Sequence, residues 1–137
     1  MYVKFSFLAT VPLLACLTEA RAMEVPNPSF EEGIDHPIGW TLSGGQGTWT
    51  KEAAQGERAI STTGKAGPGE TNYWRTQDLP FEPNTAYRLR FQARRVEGVG
   101  GCPITGPVFC NRDLSDLKEE WTHYTSFFVT PREIAAG

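Results

Sequence analysis

Histidine and cysteine are scarce in this chain, with two of the first and three of the second among 137 residues. No Cys-x-x-Cys and no His-Glu-x-x-His pair occurs, which removes the common zinc and thioredoxin-type sites. Gly-x-Ser-x-Gly and Gly-x-x-x-x-Gly-Lys-[Ser/Thr] are absent as well, so neither a nucleophile elbow nor a phosphate loop is encoded. Gly44-Gly45-Gln46-Gly47 is glycine-rich but lacks the strand–turn–helix setting of a phosphate site and reads as a turn. Basic residues are not in excess. Thirteen Lys and Arg stand against 16 Asp and Glu, a net charge of -3, and no field exists to attract nucleic acid. No apolar run reaches the roughly 20 residues that a bilayer span requires; the longest, Phe5 to Leu17, has 13. Glu31-Glu32 and Glu119-Glu120 are carboxylate neighbours, but adjacent strand residues face opposite ways. Neither pair can therefore flank one glycosidic bond. No catalytic residue is expected, and the chain reads as a binding or structural protein.

What the sequence does hold is turn-forming residues and rings. Gly 14, Pro 10 and an aromatic content of 12% point to short strands joined by many turns. A hydrophobic content of 39% is enough to bury a core and too high for a disordered chain. The N-terminal 22 residues have the order of a secretory leader: Lys4, then the apolar run, then Ala20-Arg21-Ala22 with small residues at the cleavage positions. Residues 1–22 are expected to be removed, leaving 23–137 as a single secreted domain at the cell surface, in the periplasm or outside. Two other uses of the segment stand beside this one. It could be an N-terminal strand or helix of the domain, or Leu13-Leu14-Ala15-Cys16 could serve as a lipobox with Cys16 acylated. Of the other cysteines, Cys102 and Cys110 flank Thr105-Gly106-Pro107. A three-residue turn centred on Gly106 would set them opposite each other on a hairpin. They then form a disulfide or remain two buried thiols.

Strand signals recur along residues 23–137. Thr48–Lys51, Arg58–Thr62 and Asn72–Gln77 are short candidates. The clearest is Thr85 to Arg94, where Tyr87, Leu89, Phe91 and Ala93 alternate with Arg88, Arg90, Gln92 and Arg94. That period of two gives one core face and one wet face. Trp121 to Thr130 is rich in aromatic and β-branched residues and stops at Pro131. Asn27 to Gly47 is too dense in Pro and Gly for a helix and reads as loop. Only Leu114 to Glu120 is suited to a helical turn, capped by Asp113 or Ser115. The chain is therefore expected to be all-β, an antiparallel β-sandwich.

Four stretches, in order, resemble the secreted carbohydrate-binding modules of the xylan- and cellulose-binding type. They are Asn27-Pro28-Ser29-Phe30-Glu31-Glu32-Gly33 with Gly39-Trp40, then Gly56 to Ile60, then Pro83 to Arg94, and Trp121 to Tyr124 with Phe128 and Pro131. The resemblance implies a galactose-binding-like jelly roll that recognises a polysaccharide or oligosaccharide. Such modules end in a further strand beside the first. Here the sequence runs only six residues past Pro131, so the expectation is a sheet incomplete at its C-terminal side, or a fragment of a larger multidomain protein. The resemblance also places one ligand of a structural calcium at Glu31. The matching C-terminal Asp has no counterpart, and one carboxylate binds a hard cation weakly.

Sugar rings offer a C–H face to aromatic planes and a fringe of hydroxyls to Arg, Gln and Asn. Arg90 and Gln92 sit mid-strand on the polar face and are the candidate hydrogen-bonding residues, a merely solvated face being the competing use. Trp49, beside a Gly-rich loop, and Trp74, between Asn72 and Arg75, are the candidate stacking platforms, with core packing the competing use. Trp40, Trp121, Tyr87 and Phe91 are assigned to the core. Two further functions remain open alongside sugar binding, namely a structural or adhesion domain without ligand and a small jelly-roll enzyme.

Overall fold

The computed structural model describes residues 2–9, 23–44, 46–64, 72–76, 79–97, 104–105 and 112–134, the backbone alone for 2–9 and 104–105. Among them are nine strands and no helix. The strands are β1 (Tyr2–Ala9), β2 (Trp40–Ser43), β3 (Gly47–Thr50), β4 (Ala59–Thr62), β5 (Tyr73–Thr76), β6 (Ala86–Arg94), β7 (Ile104–Thr105), β8 (Arg112–Asp113) and β9 (Thr122–Val129). All pairings are antiparallel. One sheet has five strands in the order β3-β4-β1-β6-β9, and two smaller sheets pair β2 with β5 and β7 with β8.

The core is built from the alternation of β6 and β9. Tyr87, Leu89, Phe91 and Ala93 are buried, and across the ladder Phe128, Ser126 and Tyr124 stand opposite Tyr87, Leu89 and Phe91. Residues opposite one another in such a pair share a face. Phe91 and Tyr124 stack at 5.6 Å, and Tyr87 and Phe128 at 5.5 Å, with Phe81 edge-on to both rings of the second pair. Val25, Phe30, Trp40, Ile60, Leu114 and Leu117 complete the same cluster. The open end of the β6–β9 pair is closed by Thr130, which is 2% exposed. Its hydroxyl donates to Glu82 O (2.6 Å) and accepts from Thr85 N (2.8 Å). Asn84 turns the chain there at φ +49°, a conformation Asn tolerates.

Asn27 to Gly39 forms a tight hook rather than a loose loop. Asn27 itself has φ +42° and Phe30 has φ +61°, costly for a bulky side chain. Hydrogen bonds hold the strain in place. Phe30 N donates to Asn27 O at 3.0 Å. The Asn27 amide donates to Glu32 O (2.8 Å) and Ile38 O (3.2 Å) and accepts from Glu32 N (3.2 Å). The result drives Phe30 into the core at 0% exposure, edge-on to Trp40 at 5.0 Å. Trp40 Nε1 donates to Pro26 O at 2.9 Å.

Five of the expected strands appear close to their expected bounds. Two features differ. Trp40–Ser43 is a strand inside the stretch expected to be loop. Leu114 to Glu120 makes the single turn expected of it, with Leu117 N donating to Leu114 O and the Asp113 carboxylate taking Ser115 N at 2.7 Å. That side-chain bond satisfies the turn locally and competes with helix continuation. The β7–β8 ladder sets Ile104 opposite Asp113, whereas a turn centred on Gly106 would set Ile104 opposite Val108. The connection is wider than expected, and Cys102 and Cys110 lie outside the described residues, as does Cys16.

Two outcomes follow from this packing. Leu89→Ala should cost about 2–5 kcal/mol, the range for emptying a buried leucine site, while Arg90→Ala on the same strand should stay within about 0.5 kcal/mol. Chemical denaturation of the two variants checks the alternation directly.

Candidate functional site

The side of β6 turned away from the core carries Arg88, Arg90, Gln92 and Arg94. In register beside them on β9 are Phe127 opposite Arg88, Thr125 opposite Arg90 and His123 opposite Gln92. Phe127 is 71% exposed. Arg90 is exposed and Arg88 half-buried, and neither has an ion-pair partner among the described residues. Gln92 is 9% exposed. Its Nε2 donates to His123 Nε2 at 2.8 Å, while its Oε1 is buried with no hydrogen-bond partner among the described residues, as is Arg88 Nε. Arg94 closes one end of the row by an ion pair with Glu52 at 2.6 Å and lies over the Trp121 ring at 5.3 Å. Trp121 is thus half-buried under a cation and outside the core cluster to which its sequence assigned it.

Chemically, this face combines an exposed aromatic plane, guanidinium donors and a buried amide oxygen in want of a donor. A buried acceptor without a partner costs about 1–3 kcal/mol. The one carboxylate seen against the row among the described residues, Glu52, is held by Arg94.

Trp49 and Trp74 are elsewhere. Trp49 stands opposite Ile60, a core residue, and Trp74 opposite Leu42. Both rings are half-buried and pack against the core cluster. Trp49 Nε1 donates to Phe30 O at 2.7 Å, with Arg58 over its ring at 4.3 Å. Trp74 Nε1 donates to Ser61 O at 2.9 Å. Gly47 makes room for that bond, since a Cβ there would fall 2.5 Å from Ser61 O and 3.0 Å from Trp74 Nε1. The two rings line an open cleft with Trp40, Leu42, Asp35 and His36. The four expected ligand residues are therefore divided. Arg90 and Gln92 share the outward side of β6, and Trp49 and Trp74 share a cleft lined from β2, β3 and β5.

Glu31 already serves a structural purpose. Its carboxylate accepts from Glu57 N (3.0 Å) and Arg58 N (3.2 Å). It fits against Gly56, which has φ +74° and where a Cβ would collide with Glu31 Oε1. Among the described residues no group of three or more His, Cys, Asp or Glu is placed to hold a metal. Glu31→Ala should cost about 1.5 kcal/mol, the low end for charged hydrogen bonds because the carboxylate is exposed. The melting temperature of the parent chain should be the same in calcium as in EDTA. A calcium-dependent rise that Glu31→Ala removes would restore the metal role.

Sequence reading missed Phe127, Thr125 and His123. The signal was present in Phe127-Phe128: two adjacent rings on one strand must face opposite sides, so one of them is surface. Phe128→Ala should cost about 3–5 kcal/mol, and Phe127→Ala about 0.5 kcal/mol or less. Equal losses would show that β9 is turned the other way. Comparison with protein-family models, with curated proteins and with solved structures returns no match for this chain.

Proposed function

We propose that the chain is a non-catalytic, extracellular carbohydrate-binding domain, and that the outward side of β6 and β9 receives a polysaccharide or oligosaccharide. The observation that carries this reading is the placement of exposed Phe127 beside Arg88, with Arg90 and Gln92 next along the same face. An aromatic plane takes the C–H side of a sugar ring, and the guanidinium groups take its hydroxyls. The resemblance of the Asn27–Trp40, Gly56–Ile60, Pro83–Arg94 and Trp121–Pro131 stretches to xylan- and cellulose-binding modules supports the same ligand class and a galactose-binding-like jelly roll. The leader pattern of residues 1–22 supports a location outside the cytoplasm.

A second reading, a structural or adhesion domain without ligand, draws on one specific observation. Trp49 and Trp74 are both tied by their indole N–H to backbone carbonyls and packed on the core, as rings used for stability would be.

Affinity gel electrophoresis against a panel of plant and microbial polysaccharides separates the two. Retardation by at least one polymer is expected. Arg90→Ala and Phe127→Ala should each lose about 1–3 kcal/mol of binding at unchanged melting temperature. Trp74→Ala should instead lower the melting temperature. Affinity should vary little with salt, since a neutral sugar releases no counterions. No retardation of the folded chain by any polymer would favour the structural reading.

A further inference from the structure

Strand β1 occupies a place that the sequence marks for removal. Tyr2 to Ala9 pairs with β6 along its whole length, from Tyr2 opposite Arg94 to Ala9 opposite Tyr87. On its other side Tyr2 and Val3 pair with Ser61 and Ile60 of β4. In the order β3-β4-β1-β6-β9, β4 and β6 meet only through β1. Yet β1 lies within the segment whose Lys4, apolar run and Ala20-Arg21-Ala22 read as a cleavable leader. Loss of the middle strand would leave β4 and β6 about 9–10 Å apart, twice the strand spacing. That is too far to pair directly and wide enough for one strand. β6 would stay fixed on its far side by β9, so its freed row of N–H and C=O groups would be a preformed template.

The register defines what fits. Val3, Phe5, Phe7 and Ala9 stand opposite Ala93, Phe91, Leu89 and Tyr87, the buried set of β6. Lys4 and Ser6 stand opposite Gln92 and Arg90. A slip of one residue would exchange the two sets, so the pattern selects register. We propose that in the processed chain the space between β4 and β6 is a strand-acceptor site. It binds an extended segment of a partner polypeptide, antiparallel to β6 and apolar at every second residue, by strand addition.

The test uses the full chain with a protease site placed between Ala22 and Met23 and cut after folding. A fluorescent eight-residue peptide with the sequence of Tyr2–Ala9 is then added. The cut chain should take up this peptide saturably, and the same peptide with Phe5→Lys and Phe7→Lys at least tenfold more weakly. The uncut chain should take up neither. A cut chain that releases β1, stays folded and binds no peptide overturns the proposal, as does equal uptake of both peptides. The uncut chain with Phe5→Asp provides a second measurement. Its melting temperature should fall, and the wild-type peptide added in trans should raise it again. An unchanged melting temperature, or a fall that the peptide does not reverse, also overturns the acceptor site.

Discussion

Strand β6 is hydrogen-bonded along both of its edges, to β1 on one side and β9 on the other, and its side chains alternate between the two faces of the sheet. Both facts follow from backbone geometry. A strand with a neighbour on each side has its polar backbone satisfied, and a period of two commits each side chain to one face. Tyr87, Leu89, Phe91 and Ala93 build the core; Arg88, Arg90 and Gln92 are thereby committed to the opposite side. The candidate site is a consequence of the packing and not an addition to it. Its residues are held by the same ladder that fixes the hydrophobic register, which is how a rigid element positions a binding surface.

The remaining parts are arranged around that ladder. The hook at Asn27–Gly39 uses two non-glycine positive-φ residues to bring Phe30 into the cluster, and the Phe30 carbonyl then orients Trp49. Glu31, next in sequence, satisfies the backbone of the turn that leads into β4. One short motif thus joins the core, a tryptophan and a distant turn. Glu31, the residue that the family resemblance makes a calcium ligand, takes two backbone N–H groups in that connection.

Much of this was legible in the sequence, for identifiable reasons. Tyr87–Arg94 alternates over eight residues between apolar and strongly polar types, and no other element fits that pattern. Trp40–Ser43 was hidden because four residues of strand are outweighed by the Pro and Gly on either side. The outward face of β9 was hidden because Phe127 and Phe128 are chemically identical, and only the pairing with β6 decides which is buried. Trp49 and Trp74 have polar or glycine neighbours, which suggested exposure. Their rings are nonetheless directed by cross-strand register and by carbonyls at Phe30 and Ser61, contacts that lie far away in sequence. β1 has two legible meanings at once, since an apolar run after a lysine suits both secretion and a buried strand.

Amide hydrogen exchange of the full chain along Tyr87–Arg94 tests the central arrangement most directly. Successive amides of an antiparallel strand point alternately to its two neighbours. With β1 and β9 both in place, every amide of this stretch should be protected to a similar, high degree and exchange only through large-scale opening. Protection at alternate residues alone, those directed to β9, would contradict the account and show β6 to be an edge strand.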